Sequence, residues 1–382
     1  MRFSRFGLGA LVSCWVVVAA APATAATMET AARQAMIQDY DTGTVLLEKN
    51  ADELMHPSSM SKLMTVYMAF SKLKEGTLSL DDGFAVSERA WRTGGSKMFV
   101  HVGDRVKVEE LLHGIIVQSG NDACVVIAEN LASSEAEFAE QMTQKAREIG
   151  LTRSVLKNSN GWPDPEHLMT ARDLATLARR LIEDFPSYYP IFKELEYTYN
   201  KIKQGNRNPL LYKPDLGADG LKTGHTEEGG YGLTASAVRG GRRLIMVLNG
   251  LPSMKARASE SERLLEWAFR EFENYSLFSA GQEVSTAEVW LGDRDAVPLV
   301  SEKKVVYTLP RQGGKDIKAT VVYDGPIPAP IRKGDRIATL KIAVPNMEPV
   351  ELPLLAGADV GRLGFTGRLG ALLKHTLWGG GR

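Results

Sequence analysis

Cysteine is scarce: Cys14 and Cys124 are the only two in 382 residues. Two isolated thiols supply neither a zinc-ligand spacing nor a disulfide framework, so no metal and no disulfide is expected. Histidine occurs six times and never in an H-E-x-x-H arrangement. Charge of one sign is not in excess either, since 46 basic residues face 46 acidic ones. With no basic surplus, nothing suggests a nucleic acid partner. A nucleotide cradle is also missing. Thr93-Gly94-Gly95-Ser96-Lys97 looks superficially like a phosphate loop, but the G-x-x-x-x-G-K-[ST] spacing is absent and a glycine turn is the better reading. No cofactor is expected.

What is present divides the chain into four parts. Met1-Arg2-Phe3-Ser4-Arg5 is basic, and Phe6 to Ala21 is apolar but short for a bilayer-spanning helix. It ends near Ala23-Thr24-Ala25, the plan of a secretory signal peptide covering residues 1–26. The mature chain is then exported and keeps Cys124 alone, in a buried core role. Residues 27–275 read as strands, then helices, then strands and a closing helix. A hairpin spans Gln34 to Glu48 around Asp41-Thr42-Gly43. Helical periodicity covers Val108 to Gln118, Asp122 to Leu131, Glu135 to Ile149 and Thr170 to Ile182. Tyr231 to Val238 and Leu244 to Leu248 form an antiparallel hairpin expected at or near a sheet edge, and Ala256 to Tyr275 a long last helix. Residues 276–356 lose the helical period and show short strand-like runs (Glu288 to Leu291, Lys304 to Leu309, Lys318 to Tyr323, Arg336 to Val344, Val350 to Leu354), a small all-β domain. From 357 the texture changes again. Phe365, Leu369, Leu372, Leu373 and Leu377 recur at helical spacing with Trp378 at the end and Arg362, Arg368, Lys374 and Arg382 as cations. A basic amphipathic helix of this kind suits an anionic membrane surface without spanning it.

The organising stretch is His56-Pro57-Ser58-Ser59-Met60-Ser61-Lys62-Leu63-Met64-Thr65, a helix start followed by an apolar run. Ser59 and Lys62 are three apart and share a face, so a neutral lysine can take the serine's proton. The S-x-x-K spacing also fits Ser71/Lys74, Ser154/Lys157 and Ser301/Lys304. Two further motifs select Ser59: Ser119-Gly120-Asn121 and Lys222-Thr223-Gly224, each found once.

In order and approximate separation the three motifs resemble the penicillin-binding proteins and serine β-lactamases. The wording around them is closer to the low-molecular-mass D-alanyl-D-alanine carboxypeptidases: Pro57-Ser58-Ser59-Met60-Ser61-Lys62, Gln118-Ser119-Gly120-Asn121-Asp122-Ala123-Cys124 and Gly220-Leu221-Lys222-Thr223-Gly224-His225-Thr226. The resemblance implies an α/β (α+β) transpeptidase/β-lactamase-like catalytic domain, its antiparallel sheet covered by helices, with the all-β domain and amphipathic helix behind it. It implies Ser59 as acylated nucleophile and Lys62 as general base, with a pKa lowered by burial and by Lys222. Ser119 would relay protons, Asn121 would hydrogen-bond the substrate peptide, and Lys222 and Thr223 would face them from a strand. Gly224 would let substrate backbone lie close. The amides of Ser59 and His225 would hold the oxyanion, and Arg207 with Thr223 the substrate's terminal carboxylate.

The implied activity is removal of the terminal D-alanine from peptidoglycan stem peptides ending in D-Ala-D-Ala, with β-lactams as covalent inhibitors, at the periplasmic face of the inner membrane. A D,D-endopeptidase cleaving cross-links would carry the same motifs. A membrane-bound peptidoglycan-binding or shape-maintaining protein with incidental turnover is a further reading, against which the three intact motifs speak. A class A β-lactamase fits poorly, because Pro165-Glu166-His167-Leu168-Met169 does not reproduce its E-x-x-L-N pattern.

Overall fold

A strand can be apolar at every position only where both its faces are covered. The run Leu244–Leu248 meets that condition. It lies in a five-stranded antiparallel sheet made of β1 (Gln34–Asp39), β2 (Val45–Lys49), β3 (Ala218–Thr226), β4 (Gly230–Arg239) and β5 (Arg242–Leu251), in the order β2-β1-β5-β4-β3. Ile245 and Val247 join one core cluster, while Leu244, Met246 and Leu248 join the other. The first cluster is filled by α1 (Lys62–Lys74), α2 (Val108–Ile116), α3 (Asn121–Leu131), α4 (Glu135–Glu148) and α5 (Ala171–Asp184). The second is closed by α6 (Met254–Glu271), through Leu264, Leu265, Ala268 and Phe269. This computed structural model describes residues 28–311, 317–343 and 349–364, with Gly367. The signal segment 1–26 and the helix expected from Phe365, Leu369, Leu372, Leu373, Leu377 and Trp378 lie outside the described residues.

Helix boundaries follow their local chemistry. Ser134, Thr170 and Ser253 each accept a backbone N–H three residues on, capping α4, α5 and α6. α1 is different: its residues from Lys62 to Phe70 are all buried. It is the central pillar of the catalytic unit rather than a surface helix.

Four expectations need correction or narrowing. Ser59 is not on the α-helix but in a 3₁₀ turn, Ser58–Ser61, that leads into it. Such a turn eclipses side chains three apart, which aligns Ser59 with Lys62 more closely than an α-helix would. Next, the β4–β5 hairpin lies near the edge and not at it, because β1 pairs onto β5 and β3 onto β4; the edge on its side is β3, the strand that carries Lys222-Thr223-Gly224. Third, the closing helix stops at Glu271. Phe272–Phe278 is a strand pairing with Val305–Pro310, and Phe272 prolongs the apolar pattern by packing edge-on against Trp267.

The fourth concerns the all-β domain, which starts with that strand and continues beyond 356. Its six-stranded sheet includes Ala296–Ser301, a strand the periodicity did not suggest. Val360 is buried in its core and exchanges backbone hydrogen bonds with Ile331. Asp359 accepts from the Lys333 amide and Arg362 bridges to Gly292. These residues belong to the β domain by packing.

Candidate active site

Lys62 has no exposed surface. Its Nζ lies 2.7 Å from Ser59 Oγ and donates to the Asn160 carbonyl at 2.5 Å. Asn160 belongs to the Asn158–Asp164 loop, whose Gly161 packs so closely on the nucleophile's turn that a Cβ there would fall 2.1 Å from Ser58 O. That glycine also has a positive φ of 75°, so both space and backbone reserve the position for glycine. Cys124, fully buried behind the two motifs, has its thiol pushed up to about 12 by burial and is inert.

Ser119 sits in the link between α2 and α3 with a left-handed φ of 60°. A non-glycine residue there is uncommon and directs its side chain where a regular helix would not. Lys222 Nζ donates to Ser119 Oγ at 2.9 Å and to the Thr223 carbonyl at 3.2 Å. Asn121 uses its side-chain amide on Gly94 O at 2.9 Å, and its backbone N–H on Ser96 O at 2.7 Å. Beside it the fully buried Asp122 carboxylate takes the N–H groups of Met98 and Phe99, both at 2.9 Å. The Gly94–Phe99 segment is thereby clamped across the start of α3.

Lys222, Thr223 and Gly224 lie on the edge strand facing this cluster. For Gly224 the structure gives a different reason from substrate approach: a Cβ would meet Pro57 O at 2.8 Å and Met60 Cγ at 3.1 Å. The missing side chain lets β3 press against the turn that holds Ser59. The imidazole of His225 lies on the Tyr231 ring, centroids 3.8 Å apart.

Ser59, Ser119, Thr223, Gly224 and His225 line one cleft of about 510 Å³, together with Arg207 and Arg257. Arg207 Nη1 donates to Ser96 Oγ at 2.5 Å, and Arg257 Nη2 to the Arg207 carbonyl at 3.4 Å. Arg257 Nε has no partner among the described residues. Burial lowers the pKa of both guanidinium groups, and neither forms an ion pair among the described residues. A desolvated cationic wall of this kind takes an anion, and a carboxylate matches the planar fork.

Arg257 escaped the sequence reading. The available signal was its place on the buried side of α6, at helical spacing with Ser261, Leu264, Leu265 and Ala268. A lone cation on an otherwise apolar stripe has a partner to find. Glu166 is remote from this chemistry: it is exposed and pairs with Lys157 at 3.0 Å.

Residues 19–252 match the family model described as D-alanyl-D-alanine carboxypeptidase, and residues 272–362 match the C-terminal domain of penicillin-binding protein 5. The chain belongs to the D-alanyl-D-alanine carboxypeptidase family. It is 39% identical to the carboxypeptidase DacC of Escherichia coli K12 over 91% of this chain and 90% of that one. Penicillin-binding protein 5 from Haemophilus influenzae superposes with a TM-score of 0.79 at 35% identity, covering 88% of this chain and 99% of that one. Penicillin-binding protein D2 from Listeria monocytogenes, in an ampicillin-bound form, gives a TM-score of 0.58 at 27% identity over 63% of this chain and 98% of that one. The enzyme class is that of serine-type D-alanyl-D-alanine carboxypeptidases.

The electrostatics of this carboxypeptidase's cleft are set by two buried lysines. Burial lowers Lys62 from 10.5 to about 8, and the Arg207 cation pushes the same way. Lys222 is also held well below the usual lysine range, by burial first and then by repulsion from Lys62 and Arg207. Burial is the dominant cause at both lysines, and the mutual repulsion of the two ammonium groups works in the same direction. Two ammonium groups this close and this dry do not both keep a proton easily.

Proposed function

We propose that Ser59 is the nucleophile and neutral Lys62 its general base. The observation that carries this is the 2.7 Å approach of a fully buried, depressed-pKa lysine to the serine hydroxyl. Lys62 takes the Ser59 proton as Oγ attacks the carbonyl between two D-alanines. The amides of Ser59 and His225 hold the oxyanion, and the C–N bond breaks as the leaving amine receives a proton through Ser119. Water then attacks the ester, releasing the shortened peptide and restoring Ser59. Asn121 and Thr223 bind the peptide, and Arg207 with Arg257 holds its terminal carboxylate, which favours a free C-terminus. Substrates are peptidoglycan stem peptides ending in D-Ala-D-Ala, and β-lactams acylate the same serine. The signal-like segment 1–26 supports export to the periplasm. The basic amphipathic pattern beyond 364 supports a peripheral seat on the inner membrane.

Brief exposure of the purified protein to a labelled penicillin, followed by intact-mass analysis and peptide mapping, tests the assignment beside an assay for D-alanine release. One adduct on the Ser59 peptide together with release is expected. An adduct without release moves the function to an endopeptidase or a binding protein, and no adduct removes Ser59 from its role.

A further inference from the structure

The general base is aimed partly by a stretch with no helix or strand of its own. Of the two groups on Lys62 Nζ, Ser59 Oγ belongs to the turn leading into α1, but the Asn160 carbonyl belongs to the Asn158–Asp164 loop. A loop carbonyl stays 2.5 Å from a buried amine only if something outside the loop fixes it. Ser159, fully buried, supplies the fixing points. Its carbonyl accepts from Thr65 Oγ1 at 2.5 Å, one turn along α1 from Lys62. Its backbone N–H and its hydroxyl both donate to Glu135 Oε1, at 3.0 and 2.6 Å. The residue before Asn160 is thus tied to α1 on one side and to α4 on the other.

Glu135 is the only glutamate buried among the described residues, at 6% exposed. A carboxylate in such a place needs partners. Its second oxygen takes Arg89 Nη2 at 2.5 Å, and it opens α4, where the free N–H groups of the first turn favour a negative charge. Arg89 is 61% exposed along its side chain. It can turn to water if its partner is lost, so the loss of Glu135 falls on Ser159. The other ionisable groups around Lys62 are Asp122 and Cys124 on α3, Lys222 on β3, Arg207 and His167. A substitution at Glu135 leaves all five in the chain.

We propose, resting on the general-base reading of Lys62, that Glu135 is a positioning residue for that base: it holds Ser159 so that the Asn160 carbonyl caps the amine, keeps water from it and leaves it aimed at Ser59 Oγ. Without the carboxylate, the Ser159 amide and hydroxyl lose their acceptor in a dry place, which moves the loop or admits water. Either response lessens the burial that depresses Lys62, and the amine then keeps its proton to higher pH.

The test is the pH profile of Ser59 acylation by a labelled penicillin, read by mass analysis on the full chain. Glu135→Ala should raise the midpoint by about one unit, so that acylation at pH 7 falls about tenfold while the plateau at high pH is kept. Glu135→Gln, whose carbonyl still accepts both Ser159 donors, should restore the unmodified midpoint. Ser159→Ala deletes only the hydroxyl's bond and should cost about threefold at pH 7 with the same plateau; it carries the test if Glu135→Ala does not fold. An unchanged midpoint in these alanine variants, a loss of equal size at every pH, or a Glu135→Gln profile that matches Glu135→Ala would overturn the proposal. A flat profile in the unmodified protein would instead overturn Lys62 as the base, and the proposal with it.

Discussion

Lys62 shows how a single side chain is made reactive by its surroundings. With the ordinary value of 10.5 reduced to about 8, the neutral fraction near neutral pH rises roughly three-hundredfold. The sign of the rate effect follows, since the base works only unprotonated. Acylation of Ser59 by a penicillin should climb about tenfold per pH unit well below 8 and level off above it, read by stopped-flow or quenched mass analysis. A flat profile across that range would remove Lys62 as the base. The same shift opposes folding. Because the folded-state value lies below the unfolded one, the unfolded chain binds the extra proton between about 8 and 10.5. The penalty, roughly 3 kcal/mol, is fully present below about pH 8 and is relieved as pH rises toward the unfolded value. Ser59, Lys62, Ser119 and Lys222 were legible as letters in three short motifs. Asn160 was not, because it contributes a backbone carbonyl, which any residue carries. Arg257 was missed because its signal, a cation on the apolar stripe of α6, is a matter of helical spacing and not a motif.

At the scale of elements, the site is a seam between the turn before α1 and the edge strand β3. Gly224 sets its width: a methyl group there meets Pro57 O at 2.8 Å, Met60 Cγ at 3.1 Å and Ser58 Cβ at 3.2 Å. Two of those three atoms belong to the turn bearing Ser59 and the third to the residue before it, so Gly224→Ala should displace the nucleophile from Lys222 and His225. Overpacking of this kind costs roughly 1–3 kcal/mol, which at a catalytic seam reads as a ten- to hundredfold loss of kcat/KM. Kinetics beside a thermal melt would check it, and a variant with unchanged kcat/KM would show that the seam yields. The sheet's strands were readable because their apolar runs match its double-sided core. Their order was not, since the pairing of β1 with β5 joins residues about two hundred apart in the chain, and no local pattern records such a partner. The helix reading that ran through to Tyr275 failed for a related reason: Phe272 packs on Trp267 as a strand residue while keeping a helix-like spacing.

For the whole molecule, the question is what holds the β domain to the catalytic unit. The answer centres on Asp39, which has no exposed surface and stands at the end of β1. Its Oδ2 takes Arg242 Nε at 2.7 Å, while Oδ1 takes the amides of Asp41 and Thr42 at 3.0 Å and Asn274 Nδ2 at 3.2 Å. Arg242 reaches on to the Phe272 carbonyl at 2.6 Å, Asn274 accepts from Thr308, and Thr308 meets Thr42 at 2.5 Å. Three stretches of chain thus meet at one carboxylate, its own turn and Arg242 from the catalytic unit and Asn274 from the β domain, and Thr308, on the partner strand, joins through Asn274 and Thr42. Removing the carboxylate leaves a largely buried guanidinium unpaired, a change that typically costs roughly 3–5 kcal/mol. Asp39→Ala should therefore lower the melting temperature and expose the junction, so that trypsin cuts at Arg270 faster than in the unmodified protein. If both the melt and the cleavage rate stay unchanged, apolar packing rather than this network joins the domains.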